Sequence, residues 1–361
     1  MLLTVSGTIP ATLSAEIAQQ LRPRADYLEL ARSMKADLID YARAREVAGR
    51  TGTILERIGG PNLVLAYACW LLRGRYQAIV TDGEQVGLPL AALLKLASKR
   101  RPRHVMITHI ISTSKKTFLV DYLKLSTCID RFVVYCRWQG DYIQNRWKLA
   151  PDRVVHTHFM VDERFFAPGK APGSVRCKDF PRPQICAVGL ERRDYPTLIQ
   201  AVDGLDVDVI IAAASPWSRQ KDNTSGQSIP PNVTVRRFSQ FELRQLYADC
   251  EFMVMPLQPV DFQAGITAIL EAMAMAKAVI CSKTPGQTDV IVEGETGRYV
   301  AAGDPTAMRS EIARLLAHPE EAARLGANAR DLVVHEMSLD RYAERLSKIV
   351  REACGASLAP G

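Results

Sequence analysis

The chain has 361 residues, 47% of them apolar and 24% charged, enough apolar material for two cores and too much for a disordered polymer. Its eight cysteines form no Cys-x-x-Cys pair and no zinc-ligand cluster, which argues against a disulfide scaffold or a zinc site and for reduced, buried thiols. The net charge of +7 is uneven: residues 1–165 hold 24 Lys/Arg against 15 Asp/Glu, the remainder 22 against 24, so the positive excess lies wholly in the first half.

The opening Met-Leu-Leu-Thr-Val-Ser-Gly has no basic leader, and no run reaches the ~20 apolar residues of a membrane span, so a cytoplasmic protein is expected. Short apolar runs then alternate with helical periods, the signature of parallel α/β sheets. In the first half the pattern predicts strands over 2–5, 78–80, 105–108 and 132–135. Helices are expected over 15–20, 61–72, 88–98, 117–125 and 139–148. This places Gly7, Asp82 and His109 at strand C-termini, the edge that binds ligands in open α/β sheets. Glu84 follows Asp82 closely; both are candidates for acceptor contact or for capping the next helix.

Residues 166–183, rich in proline, are expected to link two domains, 1–165 and 184–338. The second half predicts strands over 184–188, 208–212, 233–236, 252–255 and 278–281. Its helices are expected over 195–202, 240–247, 266–276, 305–317 and 319–336. An amphipathic helix over 339–353 opens the last segment, 339–361. The stretch with most chemistry is Asp261-Phe-Gln-Ala-Gly-Ile-Thr-Ala-Ile-Leu-Glu-Ala-Met-Ala. A strand ends before it and a helix starts near Gly265. Open N–H groups of Gly265, Ile266 and Thr267 suit a diphosphate. Glu271, two turns on, would repel phosphate but accept hydrogen bonds from a ribose diol.

Taken in order, the second half resembles the C-terminal domain of family 4 retaining glycosyltransferases. The pieces are Ala187-Val-Gly-Leu-Glu-Arg-Arg-Asp-Tyr-Pro, Asn232-Val-Thr-Val, Glu242-Leu-Arg-Gln-Leu-Tyr-Ala-Asp-Cys-Glu-Phe-Met-Val-Met-Pro256, the 261–274 motif, Lys277-Ala-Val-Ile and Glu293-Gly-Glu-Thr-Gly-Arg-Tyr-Val300. The resemblance implies an α/β fold of two Rossmann-like, doubly wound domains facing a cleft (the GT-B architecture), with the C-terminal helix crossing back to the first. It implies a nucleotide-sugar donor, a glycan or lipid-linked acceptor, and no metal or other cofactor. It also implies roles. Arg193, with its neighbour Arg192, would neutralise the donor diphosphate, and Gly7 would let backbone approach the phosphates. Glu271 would hold the ribose, and His109 would face the donor sugar. The family's first carboxylate falls on Gln263, which cannot offer charge to an oxocarbenium-like transition state; Asp261 could.

Three other readings follow from the same residues. Gln263 suits a non-catalytic nucleotide-sugar binder, and the fold also serves sugar-nucleotide epimerases. The basic first half suits an anionic partner. Nucleic acid is not expected there, since the Lys99–Arg103 cluster lacks aromatic interleaving and a recognition motif. Peripheral contact with an anionic membrane is expected instead, through Lys99, Arg100, Arg101 and Arg103 after the apolar run 88–97, or through the lysine-flanked run 115–125.

Overall fold

The computed structural model describes residues 1–97, 101–169, 182–213 and 229–355. Lys99, Arg100, most of the expected linker (170–181), Cys177 and the last six residues lie outside them. The chain divides into two compact units. The first holds Met1–Ser14, Ala25–Thr157 and the segment from Asp340 onward; the second holds Ala15–Arg24 and His158–Leu339. Phe166 and Ala167, read above as the start of a linker, are buried in the second unit.

In the first unit a parallel sheet contains β1 (Leu2–Thr4), β2 (Asp37–Ile39), β3 (Ala78–Asp82), β4 (Arg103–Thr108), β5 (Arg131–Val134) and β6 (Val154–His156), in the order β2-β1-β3-β4-β5-β6. In the second, β7 (Gln184–Val188), β8 (Asp208–Ala212), β9 (Val233–Arg236), β10 (Phe252–Met255), β11 (Ala278–Lys283) and β12 (Gly297–Ala301) are ordered β12-β11-β10-β7-β8-β9, again parallel. Strands β8 and β10 are buried at every position, as expected when helices cover both faces of a sheet. Each sheet reverses its winding once, between β1 and β3 and between β7 and β10. At such a switch point the adjacent loops splay apart at the strand C-termini and leave a crevice.

The helix Leu339–Ala353 packs on the first unit. Tyr342 shares a 2.7 Å hydroxyl–hydroxyl hydrogen bond with Tyr135, Ser347 donates to Ser33 O at 3.1 Å, and Arg345 donates to Thr157 Oγ1 at 3.1 Å. The helix Tyr41–Leu72 is broken by non-helical backbone at Gly49 and Gly60, so only its Pro61-onward part was legible as helix. Every described cysteine is a free thiol, buried except for the half-buried Cys354.

Candidate active site

In the second unit the crevice is bounded by the loop after β7, Gly189 to Asp194, and the loop after β10, Pro256 to Gly265. Arg193 is buried in the first of these. Its Nε donates to Val188 O at 2.8 Å and Nη1 to Glu191 O at 2.7 Å, so the loop's own carbonyls aim the guanidinium. Burial lowers its pKa below the usual arginine value, and nearby tyrosine and cysteine groups oppose that. Arg192, its neighbour, is exposed and has a left-handed backbone (φ 57°).

The helix Ile266–Ala274 opens on Gly265, whose φ of 77° and ψ of 2° put it in the left-handed region. A Cβ there would lie 2.7 Å from Met255 Sδ and 3.3 Å from Arg193 Nη2. Glycine therefore serves both the turn and the close approach of the guanidinium. Among the described residues no side chain caps this helix. Its first-turn N–H groups, from Ile266 and the exposed Thr267, stay open, and the positive end of the helix dipole adds to the Arg193 charge. A bound diphosphate would satisfy both.

Glu271 is buried on the next turn. Its Oε2 accepts from Tyr247 Oη at 2.8 Å, while Oε1 has no hydrogen-bond partner among the described residues. Burial raises its pKa to about 7, against the Tyr247 bond, which lowers it. The folded carboxyl thus binds a proton that the unfolded one releases near 4.5. Its contribution to stability is full below about 4.5 and is lost as pH rises to about 7. The ionised form accepts best from a diol. Donor affinity should therefore rise with pH towards about 7 and then level off. Glu271→Gln should flatten that profile and weaken binding at pH 8 by about 1–2 kcal/mol. Isothermal titration at several pH values checks it; an unchanged slope in the variant would remove Glu271 from the donor site.

Gln263 and Asp261 are half-buried in the loop leading to Gly265. Gln263 Oε1 is buried without a hydrogen-bond partner among the described residues. From the turn after β11, Gly286 N donates to Val260 O at 3.1 Å and the fully buried Gln287 donates to Ala264 O at 2.8 Å, clamping this loop.

In the first unit the corresponding edge gathers Ser6, Gly7, Asp82 and His109. Asp82 Oδ1 lies 3.1 Å from His109 Nε2, and both side chains remain about 40% exposed (44% and 40%). Burial alone would lower the His109 pKa, but the Asp82 hydrogen bond and the charges of Asp82 and Glu84 raise it above the usual imidazole value. Asp26 faces the same charges. Burial first, then Asp82, raises its carboxyl to about 6. The ring of Tyr135 lies 5.5 Å from that of His109. A Cβ at Gly7 would meet open space, so nothing in the fold demands glycine there. Glu84 requires a correction: it is buried, accepting from Ile110 N at 2.5 Å and pairing with Lys116 at 3.4 Å. Both oxygens are spent on holding the loop after His109, so it is no acceptor contact.

Asp26, Tyr135, Tyr342, Tyr247 and Gln287 carry no local sequence signal; each is brought to its site by contacts distant in sequence. No group of three or more potential metal ligands occurs among the described residues.

Comparison with known proteins bears on the second unit most directly. Residues 184–318 match the family described as Glycosyl transferases group 1. Over 91 residues the chain is 37% identical to the lipopolysaccharide core biosynthesis mannosyltransferase LpcC of Rhizobium leguminosarum bv. viciae, covering 25% of this chain and 26% of that protein. Over 238 residues it is 26% identical to the alpha-maltose-1-phosphate synthase of Mycolicibacterium smegmatis, covering 59% and 60%. The chain thus spans about a quarter of the first relative and 60% of the second. Among solved structures, Anabaena Alr3699/HepE in complex with UDP-glucose superposes with a TM-score of 0.72 at 13% identity, over 98% of this chain and 99% of that one. Residues 184–318 therefore match the glycosyl transferases group 1 domain, within a chain that has the two Rossmann-like domains of GT-B glycosyltransferases.

Proposed function

We propose that this protein transfers a glycosyl residue, with retention of anomeric configuration, from a nucleotide-sugar donor to a glycan or lipid-linked acceptor. The observation that carries this reading is the convergence of Arg193, the uncapped helix start at Gly265 and the buried Glu271 at one switch point. The first two meet a diphosphate and the third a ribose, so a nucleoside diphosphate fits and a bare phosphate would leave Glu271 unused. One relative is named as a mannosyltransferase, and one solved neighbour holds UDP-glucose. In this reading the leaving diphosphate is stabilised by Arg193 and the helix end, with no metal or cofactor. It also takes the acceptor proton, so no protein nucleophile is needed. The Asp82–His109 pair contacts sugar hydroxyls. We assign the protein to the cytoplasm, where nucleotide sugars are the donors, and expect no nucleic-acid partner.

Thermal-shift screening against nucleotide sugars tests donor binding, because a ligand of the native state raises its melting point. Transfer from the stabilising donor is then followed by chromatography, and the product anomer read by NMR. If no nucleotide sugar stabilises the protein and none is hydrolysed or transferred, the proposal fails.

Gln263 favours one second reading, a nucleotide-sugar binder without catalysis, because its amide offers no charge. Gln263→Glu separates the two. The variant should keep donor affinity within about threefold, since the side chains are nearly isosteric. In an active enzyme the rate persists in the wild type. In a binder only the variant turns over donor. Complete loss of donor binding in the variant would show that residue 263 is not beside the sugar.

A further inference from the structure

The first unit carries a helix with its apolar residues on the wrong side. In Ser114–Leu123, Thr117 and Val120 are buried against the unit, as a surface helix requires. The opposite stripe, at positions 115, 118, 119 and 122, would ordinarily be polar. It holds Lys115, Phe118, Leu119 and Tyr122 instead. Phe118 is 68% exposed and Tyr122 75% exposed, and their rings stack on each other at 5.8 Å in open solvent. Leu96, at the end of the neighbouring helix Glu84–Lys95, is 80% exposed. It belongs to the same corner, because Lys95 Nζ donates to Leu123 O at 2.5 Å.

The charges around this apolar patch have one sign. Described residues between 95 and 124 include six Lys/Arg and a single acid, Asp121. Asp121 is spent on Arg146 at 2.5 Å and Trp147 at 2.7 Å. Lys95, Lys115 and Lys124 are exposed at the rim of the patch. Arg101 and Arg103, expected above to act with Lys99 and Arg100 in docking, are both held by Asp130 at 2.6 and 3.0 Å. Of the run 88–97, residues 88–95 belong to the helix Glu84–Lys95, and Leu88, Leu90, Ala91 and Leu94 are buried in it. The feature suited to a surface is therefore the 114–123 helix and not the basic tail.

We infer that this helix face docks the protein on an anionic lipid bilayer, with Phe118, Leu119, Tyr122 and Leu96 entering the headgroup boundary and Lys95, Lys115 and Lys124 meeting the lipid phosphates. Stacked aromatics ringed by lysines fit a bilayer interface, which rewards apolar insertion and cation contact together. The patch consists of exposed side chains from the helix Ser114–Leu123 and from Leu96 at the end of Glu84–Lys95, with lysines at its rim. The inference does not depend on the donor site.

The test uses the full-length protein and phosphatidylcholine vesicles with and without phosphatidylglycerol. Binding should require phosphatidylglycerol and fall as salt is added. Lys95→Gln/Lys115→Gln/Lys124→Gln should weaken it about fivefold per lysine. Phe118→Ala/Tyr122→Ala should weaken it roughly tenfold or more, with an unchanged melting point because both rings are exposed. Phe118→Trp should show a blue-shifted emission only with anionic vesicles. Binding to neither vesicle, or binding that ignores the aromatic substitutions, overturns the inference. Lipid-free self-association that Phe118→Ala/Tyr122→Ala abolishes overturns it too, since the patch would then be a protein contact. Donor titration without lipid stays as in the wild type in all these variants, so failure here is distinct from failure of the donor site.

Discussion

Replacing Arg193 with methionine is expected to weaken donor binding by about 2–3 kcal/mol, roughly 30- to 150-fold, the size of lost charge-assisted hydrogen bonds in a buried setting. The guanidinium is not a free surface charge. Val188 O and Glu191 O hold it, and Gly265 lets it come within van der Waals reach of the helix start. Its position is set before any ligand arrives, so little ordering entropy is spent on binding. Methionine keeps much of the volume and removes the charge. The same change also strips donors from two carbonyls, so a lower melting point is expected, and titrations belong at a temperature where both proteins are folded. Arg192→Met is the matched control. Arg192 is exposed, and donor affinity should stay within about twofold. Arg193→Lys should fall between, because an ammonium supplies charge without the planar fork. A wild-type titration for Arg193→Met together with a loss in Arg192→Met would reverse the assignment of the two arginines.

The sequence was most legible where local pattern and burial coincide. Strands β7, β8 and β10 are near-continuous apolar runs because both faces of the sheet are covered, and their bounds match the pattern residue for residue. Three-residue β2 is too short to show a period, and β12, Gly-Arg-Tyr-Val-Ala, is half-buried in its middle, so neither stands out. The helix Asp26–Met34 also went unread, and the front of Tyr41–Leu72 was masked by its glycines. In the site, the left-handed Gly265 ahead of its helix is legible because the strand–loop–helix junction is contiguous in sequence, whereas Arg193 was singled out by the family resemblance. The Tyr247–Glu271 bond spans 24 residues and the Asp82–His109 bond 27, and such pairings are products of packing. Glu84 shows the converse: its spacing after a strand suggested a ligand contact, and only the fold reveals Ile110 and Lys116 occupying it.

Gly286→Ala should lower stability by about 1–3 kcal/mol, the usual cost of overpacking, and reduce donor affinity by roughly tenfold or more in the protein that remains folded. A Cβ at this position would lie 2.3 Å from both the N and the O of Phe262. These are backbone atoms, so no rotamer change can relieve the contact. The 260–264 segment must move, and it carries Asp261 and Gln263 into Gly265, where the helix begins. Gly286 N to Val260 O and Gln287 Nε2 to Ala264 O tie the two loops on either side of the clash, so the strain cannot spread outward. The effect on binding follows from this placement and not from instability alone. Gly326→Ala provides the comparison. Its Cβ would meet Ala276 O at 2.1 Å, an equal steric insult just beyond the far end of the Ile266–Ala274 helix. That variant should lose similar stability yet bind donor normally below its melting transition. Differential scanning fluorimetry and calorimetric titration of both variants measure the contrast. Equal donor affinities in the two would mean that the Gly286 contact does not shape the site, and the 260–264 loop would then owe its position to the ligand.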